Sequence, residues 1–201
     1  RWRTNAGGRF DRTRGLIVSS KGAHSSIALA CRAMDADEVA VESDAEGRLH
    51  VENLRDAIAA MAADDRERIF AIVATGGTTN AGVVDDLAAA ADIADELGVW
   101  FHVDGAYGGA GLAAPSVRDK FRGIERADSF IVDPHKWLFA PYDCCALVYR
   151  DADAAEAARI LANPARYRWF SLDGKPVAPP RQRRPVTKKK PSASRIPMSP
   201  L

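Results

Sequence analysis

The sequence predicts an α/β domain built on a mostly parallel sheet. Short apolar runs alternate with longer alanine-rich segments over residues 15–149, and the connections between them are short. One run, IFAIVAT (69–75), is apolar throughout except for its last residue, as strands buried on both faces of a parallel sheet are. A chain of 201 residues with 47% hydrophobic residues is large enough to bury one substantial core.

Six apolar runs predict the strands of this sheet. In chain order they are LIVSS (16–20), EVAVE (38–42), IFAIVAT (69–75), VWFHV (99–103), SFIV (129–132) and CCALVYR (144–150). Strands that alternate with helices along the chain pair in parallel through right-handed crossovers. Ligands of such sheets bind beyond the carboxyl ends of the strands, where several of the loops described below fall.

Three alanine-rich segments predict helices. They are SSIALACRAM (25–34), VENLRDAIAAMAA (51–63) and VDDLAAAADIADELG (84–98). In the second, Val51, Leu54, Ile58 and Met61 recur on one helical face. Gly98 is a stop signal for the third, and Ser25 or Ser26 is expected to cap the first.

The chain changes character after the last predicted strand. Residues 1–150 are interpreted as part of one domain, 151–174 as a possible helical continuation, and 175–201 as a disordered tail rich in proline and basic residues. Residues 181–201 hold seven of the 28 basic side chains and none of the 27 acidic ones, so the preceding residues are net acidic. Such a tail supports weak, salt-dependent binding to phosphates, but no aromatic residue interleaves it, which argues against a nucleic-acid partner.

The cysteines and the apolar runs bear on where the protein works. Cys31, Cys144 and Cys145 have no zinc-binding spacing, and neighbouring cysteines rarely bridge each other, so we expect reduced thiols in a cytoplasmic protein and no metal site. The apolar runs fall short of the roughly 20 residues that span a bilayer, so we expect no membrane association.

The first candidate for chemistry is Lys136, in SFIVDPHKWLFAPYDCC (129–145). A lysine is usually a surface residue, but apolar groups flank this one where the chain leaves a predicted buried strand. Desolvation favours the neutral form of an amine, which attacks carbonyl carbons. This is the chemistry by which an enzyme lysine holds pyridoxal phosphate.

Three further loops lie at predicted strand ends. Asp104, in FHVDGAYGG, is either an ordinary strand-end acid or a carboxylate that keeps a pyridine nitrogen protonated. His24, in SSKGAHSSIALA, is either a helix-start residue or an imidazole that stacks on a flat ring and transfers protons. In ATGGTTNAG (74–82), Thr78 or Thr79 either belongs to a flexible loop or hydrogen-bonds a cofactor.

Together these segments resemble a known family. KGAHSSI, ATGGTTNAGVVDDL, HVDGAYGG and DPHKWLFAPYDCC, in this order, resemble the group II pyridoxal-phosphate-dependent amino-acid decarboxylases over roughly residues 14–150. The residues around the lysine look more like the aromatic-amino-acid branch than the glutamate branch. The resemblance implies an incomplete large domain of the fold-type I pyridoxal-phosphate transferase fold, pyridoxal 5'-phosphate as cofactor, and decarboxylation of an L-amino acid to its amine.

The resemblance also implies that the chain is a fragment. Family members are much longer, with a phosphate-binding turn that would precede Arg1 and a small C-terminal domain that would follow Asp151. We therefore expect a homodimer in the full-length parent and negligible turnover by these residues alone.

Site roles are carried over motif by motif. Lys136 would form the Schiff base, Asp104 would pair with the pyridine nitrogen, and His24 would stack over the ring and assist proton transfer.

The resemblance assigns three further cofactor contacts. Ala106 would pack on the other face of the ring, His135 would lie near the phosphate and Thr78 near the ring substituents. Family members often carry asparagine where this chain has Asp133. A carboxylate is unfavourable near a phosphate unless it points away, so Asp133 is not included in the predicted site.

Two alternatives remain open from the sequence. One is another lyase or transferase on the same cofactor fold, such as a relative of sphingosine-phosphate lyase or cysteine desulfurase. The other is a non-catalytic remnant whose basic tail binds nucleic acid.

Overall fold

The computed structural model describes residues 14–151. The predicted helical continuation at 151–174 lies outside this range except for its first residue, and the predicted basic tail at 175–201 lies wholly outside it. Residues 14–151 form six strands, four α-helices and three short 3-10 helices.

All six strands belong to one sheet. They are β1 (Leu16–Ser20), β2 (Asp37–Val41), β3 (Ile69–Thr75), β4 (Trp100–Asp104), β5 (Ser129–Val132) and β6 (Ala146–Tyr149). The sheet order is β2-β1-β3-β4-β5-β6; β1 to β5 pair in parallel, and β6 pairs antiparallel with β5. The predicted α/β domain with a mostly parallel sheet is confirmed.

The four α-helices are α1 (Ser26–Met34), α2 (Val51–Ala60), α3 (Ala63–Arg68) and α4 (Leu87–Leu97). Gly98 ends α4 in the left-handed region with a φ of 67°, as predicted. The prediction of a serine cap on α1 is wrong: Ser25 makes no capping hydrogen bond, and the N–H of Ser26 donates to Nδ1 of His24 at 3.2 Å.

The second predicted helix is interrupted. Leu54 and Ile58 are buried in the core as their spacing predicts, but α2 ends at Ala60 and Met61 is extended. A separate helix, α3, begins at Ala63 and carries Asp64 and Asp65 in its first turn. Two carboxylates there favour a new helix start, because the amino end of a helix carries partial positive charge.

The connection from β4 to β5 contains no α-helix. Three 3-10 helices replace it, at Gly108–Ala113, Arg118–Phe121 and Ile124–Arg126. The first is built on glycines that lie against neighbouring backbone: a Cβ on Gly108 would lie 2.5 Å from Cα of Gly77. This connection therefore folds back tightly onto the loop that follows β3.

Apolar side chains cover both faces of the sheet. On one face, Phe101 and Val103 of β4 pack with Leu54 of α2 and Leu87 of α4 in the larger core cluster. On the other face, a smaller cluster joins Ile17, Cys31, Ala71 and Val73, with Trp100 packed against it. Because side chains alternate along a strand, His102 and Asp104 share the face of Trp100.

Candidate active site

The predicted site residues lie at the carboxyl edge of β1, β3, β4 and β5. Thr75 at the end of β3 pairs with Asp104 at the end of β4, and Asp104 pairs with Ile131 of β5. The N–H of Gly76 donates to the carbonyl of Asp104 at 2.7 Å, and the N–H of Gly105 donates to the carbonyl of Ile131 at 3.1 Å. The loops that carry Thr78, Asp104 and Lys136 therefore leave adjacent strands of one sheet.

Lys136 lies in a turn just beyond β5. Its N–H donates to the carbonyl of Asp133 at 2.9 Å, and its Nζ lies 2.9 Å from Oδ2 of the same residue. The Lys136 side chain is 34% exposed and that of Asp133 is 13% exposed. The amine is thus partly desolvated, and it forms an ion pair with a carboxylate three residues earlier.

Asp133 is a residue that the sequence prediction left out. Its burial opposes ionisation, but hydrogen bonds from Lys136 and Cys145 outweigh that effect and hold the pKa of Asp133 below its ordinary value. The carboxylate points at the lysine, which is the orientation in which its charge is compensated. The spacing of three residues in DPHK was the available signal, since it suits an ion pair within one turn.

Asp104 and Ala106 connect the loop after β4 to the lysine loop. Oδ1 of Asp104 accepts a hydrogen bond from the N–H of Ala106 at 3.1 Å, and the carbonyl of Ala106 accepts one from the N–H of Asp133 at 3.0 Å. Within residues 14–151, Asp104 forms no ion pair of its own, although it is half-buried. A cationic group of a ligand would supply the missing countercharge.

An aromatic contact reinforces the same junction. The rings of Tyr107 and Trp137 stack with centroids 5.9 Å apart and planes 12° from parallel. Tyr107 directly follows Ala106, and Trp137 directly follows Lys136. The stack therefore holds the two loops together one residue beyond each predicted site residue; the sequence prediction did not include Tyr107.

Thr78 lies in the loop after β3. Its Oγ1 accepts a hydrogen bond from the N–H of Val83 at 3.1 Å, so the hydroxyl hydrogen remains available to donate. The preceding residue, Gly77, has a φ of 103°, and its carbonyl accepts from the N–H of Gly108 at 3.2 Å. Backbone contact between these two glycines brings the Thr78 loop against the loop that carries Asp104.

Asp85 and Thr75 are two residues of this region that sequence reasoning missed. Asp85 is 3% exposed, and its carboxylate accepts from the N–H of Leu49 at 2.7 Å and from that of Thr75 at 2.6 Å. Burial raises the pKa of Asp85, and the two backbone hydrogen bonds oppose that rise. Among the described residues, the buried Oγ1 of Thr75 has no hydrogen-bond partner, next to Asp104 in the sheet.

The two predicted histidines make mostly local contacts. His24 follows β1 at the same edge of the sheet and is exposed, and both hydrogen bonds of its ring are with Ser26. Nδ1 of His135 lies 2.6 Å from the carbonyl oxygen of Cys144, and its ring meets that of Tyr142 edge-on at 4.8 Å. His135 therefore ties the outgoing and returning halves of the lysine loop together.

Other candidate sites in residues 14–151 are few. No group of three or more His, Cys, Asp and Glu side chains in this range could hold a metal ion. An open cavity of about 580 Å³ lies between segments 46–50, 81–88 and 119–122, and none of the six predicted site residues lines it. None of the helices in the described part of the chain has the length and apolar character to cross a bilayer.

Comparison with known proteins identifies one matching family and relatives that are decarboxylases. Residues 11–164 match the family described as the pyridoxal-dependent decarboxylase conserved domain. L-2,4-diaminobutyrate decarboxylase of Rhizobium meliloti is 40% identical over 160 residues, which are 78% of this chain and 31% of that protein. A tryptophan decarboxylase of Camptotheca acuminata is 39% identical over 137 residues, 66% of this chain and 27% of that protein.

Solved structures share the fold. The crystal structure of Oryza sativa TDC with PLP and tryptamine matches with a TM-score of 0.69 and 29% identity, covering 77% of this chain and 32% of that one. The chain thus spans about a third of the length of the proteins it matches.

Proposed function

The chain belongs to the pyridoxal-dependent decarboxylase family, and from this premise we propose that the protein removes the carboxyl group of an L-amino acid as carbon dioxide. Pyridoxal phosphate is the proposed coenzyme, attached to Nζ of Lys136. One observation carries the proposal: the Lys136 loop and Asp104 occupy the carboxyl ends of the paired strands β5 and β4. The relatives support this function over the other lyase or transferase activities.

The residues at this edge fit the coenzyme. Asp104 has no ion-pair partner in residues 14–151, which suits a carboxylate that faces a protonated pyridine nitrogen. The buried hydroxyl of Thr75 lacks a partner in the same part of the chain, next to that carboxylate in the sheet. The Lys136 amine is accessible enough to react, with 34% of its side chain exposed.

Each of the chain's own groups has a proposed task. Asp104 holds the positive charge of the pyridine nitrogen, which deepens the electron-accepting capacity of the ring. Lys136 would hold the coenzyme through its amine. Asp133 compensates the charge of Lys136 whenever that amine is free and protonated.

The remaining assignments follow the motifs. Ala106 would pack on one face of the ring, where its small side chain leaves room. His24 would lie over the opposite face, where its exposed imidazole could return a proton to the substrate. Thr78 would donate its free hydroxyl hydrogen to a ring substituent, and His135 would lie near the phosphate.

The coenzyme, when bound, supplies the electron sink that accepts the pair left behind by departing carbon dioxide. The hydroxyls and carboxylates named above keep their positions because the sheet and the glycine contact between the loops hold them.

We further propose a homodimeric, cytoplasmic enzyme. Exposed free thiols at Cys144 and Cys145 support a reducing compartment, since such pairs rarely persist where disulfides form. Family membership supports the dimer. The activity proposed here belongs to the whole protein, because the part of this chain that matches its relatives spans only about a third of their length.

The attachment of the coenzyme provides the test. We expect the purified protein to develop a visible absorption band with pyridoxal phosphate that Lys136→Ala abolishes. Lys120→Ala, at an exposed lysine on the 3-10 helix before Phe121, is the matched control and should keep the band. Borohydride reduction and peptide mapping should recover the coenzyme on the Lys136 peptide; its recovery on another lysine would refute the assignment.

Carbon dioxide release tests the reaction class. A panel of L-amino acids should include at least one that yields carbon dioxide and the corresponding amine in equal amounts. Coenzyme binding at Lys136 together with product formation but no carbon dioxide would favour another lyase or transferase instead.

A further inference from the structure

A buried histidine lies close to the proposed coenzyme carboxylate and has no role in the function proposed above. His102 precedes Asp104 by two residues on β4, and the two side chains share one face of the sheet with Trp100. Strand geometry separates residues at this spacing by about 7 Å along the backbone. An imidazole and a carboxylate can interact electrostatically over that distance.

One hydrogen bond joins this imidazole to Ser129 of the neighbouring strand, and a second joins the same serine to Trp100. Nε1 of Trp100 donates to Oγ of Ser129 at 2.8 Å, and Nδ1 of His102 lies 2.7 Å from the same oxygen. Ser129 faces His102 directly in the β4–β5 pairing, and it is buried. The ring therefore has a fixed partner on its Nδ1 side and is not free to turn.

The chemistry of the three groups fixes the direction of the Trp100 bond and permits two directions for the His102 bond. An indole N–H only donates, so Trp100 occupies one of the two lone pairs of the Ser129 oxygen. We assign the hydrogen of the serine hydroxyl to Nδ1 of His102, the ring nitrogen within reach of that oxygen. With Nδ1 accepting, the proton of the neutral ring is on Nε2, on the side away from Ser129.

The charge state of the ring agrees with this arrangement. Burial lowers the pKa of His102, and the nearby Asp104 carboxylate opposes that shift. The ring is consequently neutral near neutral pH and acts through the dipole of its Nε2–H bond.

We propose that His102, locked by Ser129 and Trp100, is a positioning residue that stabilises the ionised Asp104 carboxylate through its Nε2–H group. The inference rests on the proposed function in that Asp104 is taken to meet the pyridine nitrogen of the coenzyme. The indole, hydroxyl and imidazole form a relay that spans β4 and β5, the two strands whose ends carry Asp104 and the Lys136 loop. The relay therefore couples the geometry of the coenzyme carboxylate to the strand that precedes the coenzyme lysine.

The tautomer of His102 tests the relay without any coenzyme. We expect the imidazole ¹⁵N shifts of the wild-type protein to report a single Nε2–H tautomer, and Ser129→Ala to give a mixture of tautomers. An Nδ1–H tautomer in the wild-type protein would overturn the proposal. The wild-type measurement needs no variant, so it stands even if Ser129→Ala unfolds.

A matched pair of substitutions tests the effect on coenzyme binding. His102→Gln keeps an N–H donor near the position of Nε2, whereas His102→Asn keeps only a polar group near Nδ1. We expect His102→Asn to weaken pyridoxal phosphate binding about fivefold, the loss typical of one polar interaction, and His102→Gln to restore most of it. Equal affinities in the two variants would contradict a role for the Nε2–H group.

These outcomes separate the two proposals. If Lys136→Ala keeps the coenzyme band, the proposed function fails, and the tautomer measurement still decides whether the relay exists. If Lys136→Ala loses the band but the tautomer is Nδ1–H, the function stands and the relay is wrong.

Discussion

Replacing Asp85 by alanine would remove the acceptor of two buried backbone N–H groups at once. The carboxylate is 3% exposed and accepts from Leu49 at 2.7 Å and from Thr75 at 2.6 Å. Each buried N–H left without a partner costs about 1–3 kcal/mol, so Asp85→Ala loses about 2–6 kcal/mol in hydrogen bonding. Part of this is offset, because the variant no longer buries a charge whose desolvation raises the pKa of Asp85.

A net loss of about 2–4 kcal/mol is therefore expected, a large part of the 5–15 kcal/mol typical of a domain. In urea unfolding followed by tryptophan fluorescence, this corresponds to a midpoint lower by about 1–2 M. Asp86→Ala is the matched control: the neighbouring Asp86 caps α4 by accepting from the N–H of Ala89 at 3.1 Å, and loss of a cap costs about 1 kcal/mol. Equal midpoints for the two variants would refute the claim that Asp85 anchors the end of β3.

Two further predictions use the same unfolding assay. Gly108→Ala would set a Cβ 2.5 Å from Cα of Gly77, so we expect a loss of about 1–3 kcal/mol together with weaker coenzyme absorption. Gly22→Ala, whose nearest neighbour would lie at 3.4 Å, should change stability by less than about 1 kcal/mol, and equal effects would argue against the close loop contact. For His102, the lowered pKa means that the unfolded chain binds the extra proton first as the pH falls through 6.5. The contribution of His102 to the free energy of unfolding is therefore complete above pH 6.5. It is lost below that pH, by at most about 1.4 kcal/mol per pH unit. The difference in unfolding free energy between about pH 7.5 and pH 5.5 should thus be larger in the wild-type protein than in His102→Gln, and identical differences would contradict the burial of a neutral ring.

Much of the fold could be predicted because its strands are strongly apolar. LIVSS, IFAIVAT and SFIV match β1, β3 and β5 residue for residue, and the other three strands lie within about two residues of their predicted bounds. The direction of β6 could not be predicted, since an apolar run has the same composition whichever way it crosses the sheet. The turns between β4 and β5 were missed because GGAGLA has no helical periodicity, and their conformation depends on contacts with Gly77 and Phe121.

Some residues of the candidate site could be predicted from the sequence and others could not. Lys136 and Asp104 were found because each follows a strand that the sequence predicts to be buried. This local pattern can be recognised in a single sequence. Asp85 could not be found, because its partner Leu49 is 36 positions away and only the fold brings them together. The relay partner Ser129 is likewise 27 positions from His102, and serine at the start of a strand carries no signal of its own.

The reversed direction of β6 has a thermodynamic consequence for coenzyme retention. It makes the lysine segment a hairpin at the rim of the sheet, in which β6 has β5 as its one sheet neighbour within residues 14–151, and Leu147 and Val148 are about half exposed. A rim hairpin frays at a lower free-energy cost than the strands behind it. A coenzyme bound to both Lys136 and Asp104 would link that hairpin to β4 in the interior of the sheet. Coenzyme binding would therefore protect the β6 amides from hydrogen exchange far more than the β3 amides.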